Sequence, residues 1–199
     1  MQETLQSGAL SGRRIFMYRT QICVKTLKVT EWIAEYCQPE TFVPLCRECP
    51  EYQKNWSCPP GVPPVKEIAG KYRYVQAIGL KVIYEERVRK EALTAPGRAE
   101  ELREQSYGAA KKKMLQALLA LEKVITPSQT IMAGCCVLCG RCARIDGKPC
   151  RHPEEMRYSF SGLGFDLGRI SGELLEMPLL WQKEGLPEYN VAIAAFLHN

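Results

Sequence analysis

The sequence predicts an α+β fold, a mixed β-sheet with helices packed on it. Strand-like and helix-like apolar patterns alternate along the chain. The hydrophobic fraction, 46%, is enough for a core without cross-links. Eight of the ten cysteines fall in two clusters that lie in loops between the regular elements. The 199 residues suit a single domain. A ferredoxin-like arrangement is compatible with this alternation, but strand order is not legible.

Residues 13–28, rich in Ile, Val, Thr and Tyr, read as a strand or hairpin. Thr30 then caps a short helix with Glu31 in its first turn, and Pro39 lies just past its end. The first cysteine cluster follows in a loop from Cys46 to Cys58. Pro63-Pro64 opens another short helix that stops near Gly70. Residues 73–84 form the clearest strand, with Tyr74, Ile78, Leu80, Val82 and Tyr84 on one face.

After the break at Pro96-Gly97, residues 98–125 form the clearest helix. Its apolar stripe runs through Leu102, Ala109, Met114, Ala117, Leu118, Leu121 and Ile125. Lys111, Lys112 and Lys113 read as a solvated face. Pro127 ends the helix, and Gln129 to Ala133 is a strand leading into the second cysteine cluster. Pro153 with Glu154 and Glu155 starts a helix ending by Gly162; a further helix spans 168–177; Val191 to Leu197 is a buried strand.

No basic start followed by an apolar run marks a signal peptide, and the longest apolar run is too short to cross a membrane. The chain is therefore read as cytoplasmic. Ten cysteines in a reducing compartment point to metal or catalysis, not a disulfide framework. The net charge of +5 counts every cysteine as neutral, so thiolate formation lowers it. Arg47, Lys54, Arg141, Arg144, Lys148 and Arg151 sit among the cysteines and offset such charge. The excess is small and no recognised motif supports nucleic-acid binding. The two histidines offer no nucleophile–base pair, and there is no phosphate loop or dinucleotide fingerprint.

The second cluster is the stronger signal. Cys136, Cys139 and Cys142 have the C-x2-C-x2-C spacing of bacterial ferredoxins, which wraps a loop around one face of a cubane. Cys150 is the nearest fourth ligand, and Gly134, Gly140 and Gly147 give the backbone freedom near sulfur. Cys135, Cys139 and Cys142 also spell the radical S-adenosylmethionine spacing. The 57 residues after Cys142 leave no room for the βα units which that fold needs. Zinc is the alternative: Cys46-x2-Cys49 and Cys139-x2-Cys142 form two knuckles of one site, leaving Cys58, Cys136 and Cys150 unexplained.

The first cluster offers three ligands, Cys46, Cys49 and Cys58, with Pro59-Pro60 stiffening its end. Tyr52 and Trp56 either shield a metal group or pack in the core. Three thiolates leave one iron open, the arrangement of a Lewis acid. Cys37 is one way to complete the set; a centre shared between the two clusters is another. Cys23 and Cys37 otherwise read as buried core thiols. His152 is a ligand, a proton donor or a hydrogen-bonding group at a helix start.

Two blocks of residues resemble the bacterial and archaeal "predicted metal-binding protein" family, domain of unknown function 2284. One is Cys46-x-x-Cys49-Pro50-x-Tyr52-x-x-x-Trp56-Ser57-Cys58-Pro59-Pro60. The other is Cys136-x-Leu138-Cys139-x-x-Cys142, continuing through Lys148-Pro149-Cys150-Arg151-His152-Pro153, Arg157-Tyr158-Ser159 and Gly164-Phe165-Asp166. The resemblance runs from about Cys46 onward and implies metal binding without an established reaction. The residue matching Cys135 is usually small in that family. This favours Cys136, Cys139, Cys142 and Cys150 as the ligand set, with Cys135 as a neighbour.

The expected function is that of an iron–sulfur protein with one or two clusters, 4Fe-4S by spacing, transferring electrons to a partner protein. The rivals are an enzyme using an open iron on a small substrate and a zinc-stabilised interaction module. No nucleic-acid or membrane partner is expected.

Overall fold

A computed structural model of the chain describes residues 17–199. The fold is α+β, as the alternating patterns indicate. Its sheet has four strands: β1 (Tyr18–Lys28), β2 (Tyr74–Tyr84), β3 (Ser128–Met132) and β4 (Tyr189–His198). Their order is β1-β2-β4-β3, and every neighbouring pair is antiparallel. Since β2 and β3 both oppose β4, they run parallel to each other with β4 between them. This is the split βαβ unit of ferredoxin-like sheets, with β1 added outside β2. The first four residues of the predicted 13–28 strand lie outside the described residues.

Helices cover both faces. On one face, α1 (Val29–Tyr36) and α3 (Val65–Ala69) pack with the 158–179 segment on Val75, Ala77, Ile193 and Leu197. Trp32 is wholly buried there, its ring stacked on Phe165 at 4.0 Å. On the other face lie α4 (Glu86–Glu91), α5 (Arg98–Arg103) and α6 (Ala109–Val124). They cover Leu80, Val82, Ala192, Ala194 and Phe196. Strand β2 therefore buries residues on both faces, including Val75 and Ala77 that the one-sided pattern omits.

Four local expectations change. The first helix starts at Val29 with Lys28 before it, so Thr30 lies inside the helix and does not cap it. Pro39 opens a second helix, α2 (Pro39–Leu45), with proline in its first turn, where a missing N–H costs nothing. Residues 153–160 are not helical, and only a 3-10 turn, Ser161–Leu163, follows. A single turn closes at His152, with Met156 N–H bonded to its carbonyl at 2.9 Å. The chain then extends beside β3, exchanging Met132 N–H with the Tyr158 carbonyl and Phe160 N–H with the Met132 carbonyl. The predicted 168–177 helix is the short α7 (Leu167–Arg169) followed by a π turn over Ile170–Leu174.

The predicted long helix has the right extent but a shifted face. A π turn at Glu104–Gly108 joins α5 to α6. One inserted residue rotates everything downstream by about 100°. The buried face of α6 is thus Ala110, Lys111, Leu115, Leu118 and Leu119, while Leu121 is 38% exposed. Lys111, read from sequence as solvated, is only 7% exposed.

Candidate metal centre

The two cysteine blocks, remote in sequence, meet where β3 ends above the start of α6. Strand β3 delivers Gly134, Cys135 and Cys136 directly. Gly134 has φ +71°, a conformation that L side chains rarely adopt, and a Cβ there would stand 2.9 Å from the Lys111 ammonium. Gly147 also has φ +65°, but Gly140 has open space around it and needs no glycine.

Ser57 joins the blocks. It is fully buried, its hydroxyl accepts the Cys136 N–H at 2.9 Å and donates to Asn55 Oδ1 at 2.9 Å. The Cys58 Sγ lies 3.6 Å from the same hydroxyl. Ser57 also accepts Ser159 N–H on its carbonyl at 2.9 Å, tying in the strand-like 157–160 segment.

Arg144 fastens the outside. Its guanidinium donates to the carbonyls of Asn55 at 2.9 Å, Cys58 at 2.8 Å and Pro60 at 2.6 Å. It also stacks over the Trp56 ring at 4.8 Å, while Trp56 Nε1 donates to the Lys148 carbonyl at 3.0 Å. Arg151 donates to the Arg141 carbonyl at 2.8 Å, and Arg141 pairs with Asp146 at 2.5 Å. These three arginines bind the loops themselves, beyond any general charge balance.

Cys136, Cys139, Cys142 and Cys150 line one small pocket, together with Trp56, Leu138 and Met156. His152 also lines it, 46% exposed at its side chain and 3.8 Å from Glu155. Burial pushes the Cys136 thiol up; the Leu138 N–H opposes this, and the Cys150, Cys139 and Cys142 charges add to it. Among the described residues, no three His, Cys, Asp or Glu side chains are grouped to hold a single ion. The four thiols instead face a shared space.

In the first block, Cys46 follows α2 and starts a 3-10 turn, Cys46–Glu48; Cys49 is exposed and Cys58 buried. Burial raises the Cys46 thiol, helped by Cys58 and Cys49. Burial also raises Cys58, against hydrogen bonds from Ser57 and Ser159, with Cys49 and Glu51 adding to the rise.

Cys37 stands elsewhere. Its thiol donates to the Leu163 carbonyl at 3.3 Å, and its backbone bridges Phe165. Burial, then Glu40, pushes it up to about 11. Cys23, on β1, packs against the core. Two family-signature segments are also architectural. Gly164 has φ +91°, and a Cβ there would lie 2.5 Å from the Pro39 backbone. Asp166 caps α7 by accepting the Arg169 N–H at 3.0 Å. Arg157 forms an ion pair with Glu122, both nearly buried, and Glu122 accepts the Thr130 N–H at 2.6 Å.

Beside the second block opens a cavity of about 740 Å³, faced by Glu51, Glu104, Lys112, Cys135, Cys139 and Arg141. Sequence reasoning missed the lysine at this junction, Lys111, because its signal was hidden by the π turn upstream.

A sequence profile of predicted metal-binding proteins (DUF2284) matches residues 20–193. The match begins within β1, well before the Cys46 boundary expected from the two blocks. No curated protein and no solved structure matches the chain. With nearly its whole length inside that profile, the chain belongs to the predicted metal-binding protein family DUF2284.

Proposed function

We propose that this protein holds an iron–sulfur group on Cys136, Cys139, Cys142 and Cys150 and passes electrons to a partner protein in the cytoplasm. The observation that carries the reading is the convergence of these four thiols on one pocket. Their C-x2-C-x2-C spacing is that of ferredoxin loops. A set of soft thiol donors around a shared space suits a group larger than one ion. When bound, such a group supplies one-electron chemistry. The chain's part is to hold the loop and exclude water. Ser57 fixes the Cys136 backbone, and Trp56, Leu138 and Met156 form an apolar wall. Cys46, Cys49 and Cys58 supply a second metal-binding set at the same junction.

The roughly 740 Å³ cavity favours a second reading, an enzyme that binds a small substrate beside the thiols. Its lining carries both carboxylates and cations, Glu51 and Glu104 against Lys112 and Arg141. A substrate-dependent change in the electron spin-resonance signal separates this reading from electron transfer alone. Iron, sulfide and zinc analysis after anaerobic purification tests the iron–sulfur assignment against zinc.

A further inference from the structure

The two edges of the sheet differ. At one, β3 is covered by the 157–160 segment, where the Phe160 N–H bonds to the Met132 carbonyl at 3.1 Å. At the other, β1 pairs with β2 alone, and among the described residues no backbone bridges its outer side. This strand runs for 11 residues without proline, in unbroken register with β2 from Tyr18↔Tyr84 to Lys28↔Tyr74. Its odd-numbered backbone groups point at β2. The Met17 carbonyl accepts the Glu85 N–H at 3.2 Å, and the Val29 N–H bonds to the Arg73 carbonyl at 3.0 Å. Backbone groups alternate sides along an antiparallel strand, so those of Thr20, Ile22, Val24 and Thr26 face the open edge.

The side chains on this strand add a second observation. Ile22 is 65% exposed and Val24 51%. They share the sheet face of their β2 partners Leu80 and Ile78, at a corner that the helices leave uncovered. Sheet edges are ordinarily blunted by proline, bulges or free lysines. Here the register has no bulge, and both lysines are engaged within the chain, Lys25 with Glu176 at 2.9 Å and Lys28 with Glu31 at 3.4 Å. A long, regular edge carrying apolar side chains is a template for another strand.

We propose that this protein forms a symmetric dimer in which β1 pairs antiparallel with β1 of a second copy, joining the two sheets. The strand's own sequence names a second copy as the occupant, because it is complementary to itself. With the two-fold axis at Cys23, Ile22 faces the partner's Val24 and Thr20 faces the partner's Thr26, both favourable cross-strand pairs. On the other face, Gln21 meets the partner's Lys25 and Arg19 meets the partner's Leu27, so no cation opposes a cation. Edge-facing groups lie on even-numbered residues in both copies, so the axis can move only by whole residues. Moving it to Ile22 sets Arg19 against the partner's Lys25, two like charges directly opposite. Moving it to Val24 sets Ile22 against the partner's Thr26 and separates the apolar pair. The inference stands on β1 alone and does not depend on which metal the cysteines hold.

The test is sedimentation velocity over a dilution series of the full chain, purified anaerobically with its metal. The parent is expected to be a dimer that dissociates on dilution. Val24→Lys sets an ammonium opposite the partner's Ile22 and should raise the dimer Kd at least tenfold, with circular dichroism and metal content unchanged. Val24→Pro is the second variant. It removes an edge-facing N–H and leaves the ladder to β2 intact, so the same loss is expected. Trp181→Ser is the control, since Trp181 is 89% exposed in the loop between α7 and β4, and the dimer should survive it. Hydrogen exchange read by peptide mass locates the contact: β1 should exchange more slowly in concentrated than in dilute parent, and Val24→Lys should abolish the difference. A parent that stays monomeric overturns the inference, as does a dimer left unweakened by either Val24 variant that folds or weakened equally by Trp181→Ser. Slow exchange of β1 at every concentration would mean that residues 1–16 of the same chain cover the edge, and overturns it too.

Discussion

The hydroxyl of Ser57 accepts the backbone N–H of Cys136 at 2.9 Å, so one buried side chain of the first cysteine block holds a cysteine-bearing peptide of the second. Ser57→Ala removes this acceptor and leaves Asn55 Oδ1 with only the backbone N–H of residue 57, at 3.2 Å. A buried donor left without a partner costs about 1–3 kcal/mol. The urea midpoint of the variant should fall accordingly, with faster loss of metal to a chelator. An unchanged midpoint and release rate would show that the junction does not depend on this contact.

The two blocks should separate under substitution. Cys139→Ala removes a thiol from the four-cysteine pocket and should lose one centre's metal together with stability, because metal-binding energy is also folding energy. Cys49→Ala, at an exposed position, should lose metal with a smaller fall in the unfolding midpoint. Metal analysis and thermal unfolding read both. Loss of all metal in each variant would mean one shared centre.

Arg144→Lys should behave as a loss. The guanidinium reaches three carbonyls and stacks on Trp56, and an ammonium cannot reproduce that planar fork. A hydrogen bond to a charged group contributes about 1.5–3 kcal/mol, so a fall of roughly that size is expected in denaturant unfolding. A fall below about 0.5 kcal/mol, the level of ordinary surface changes, would contradict the clamp.

Gly164→Ala should destabilise the fold strongly, since its φ of +91° disfavours a side chain and the new Cβ meets the Pro39 backbone at 2.5 Å. Gly140→Ala, with no heavy atom within 4 Å of the new Cβ, is the control and should unfold close to the parent. Thermal unfolding of the pair checks the reading; equal midpoints would refute it.

Cys37 should be inert. Its folded thiol sits at about 11, so at pH 8 it remains protonated and should alkylate far more slowly than in urea. Because burial raises this value, the associated stability is present below the ordinary thiol range, around 8.5, and is lost as pH rises toward about 11. Cys37→Ser should keep the parent's full metal content. Metal loss in that variant would place Cys37 among the ligands.

Much of this architecture is legible in the sequence, for identifiable reasons. β-branched runs and proline breaks mark β2 and β4, where local pattern and tertiary burial agree. That Cys136, Cys139, Cys142 and Cys150 line one pocket is legible because their spacing is local. Two features were not. The π turn at Glu104–Gly108 has no periodic signature, and it rotates Lys111 from the predicted solvent face into the junction. The pairing of residues 157–160 with β3 turned a proline-and-glutamate helix start into an extended strand edge, because its partners Met132 and Ser57 are distant in sequence. Long-range contacts decide both outcomes, and a local reading has no access to them.

Iron, acid-labile sulfide and zinc determined on anaerobically purified protein test the central claim most directly. The four thiols around one pocket predict iron and sulfide in near-equal amounts, with visible absorption that bleaches on reduction. Stoichiometric zinc without iron, unchanged after reconstitution with iron and sulfide, would contradict it.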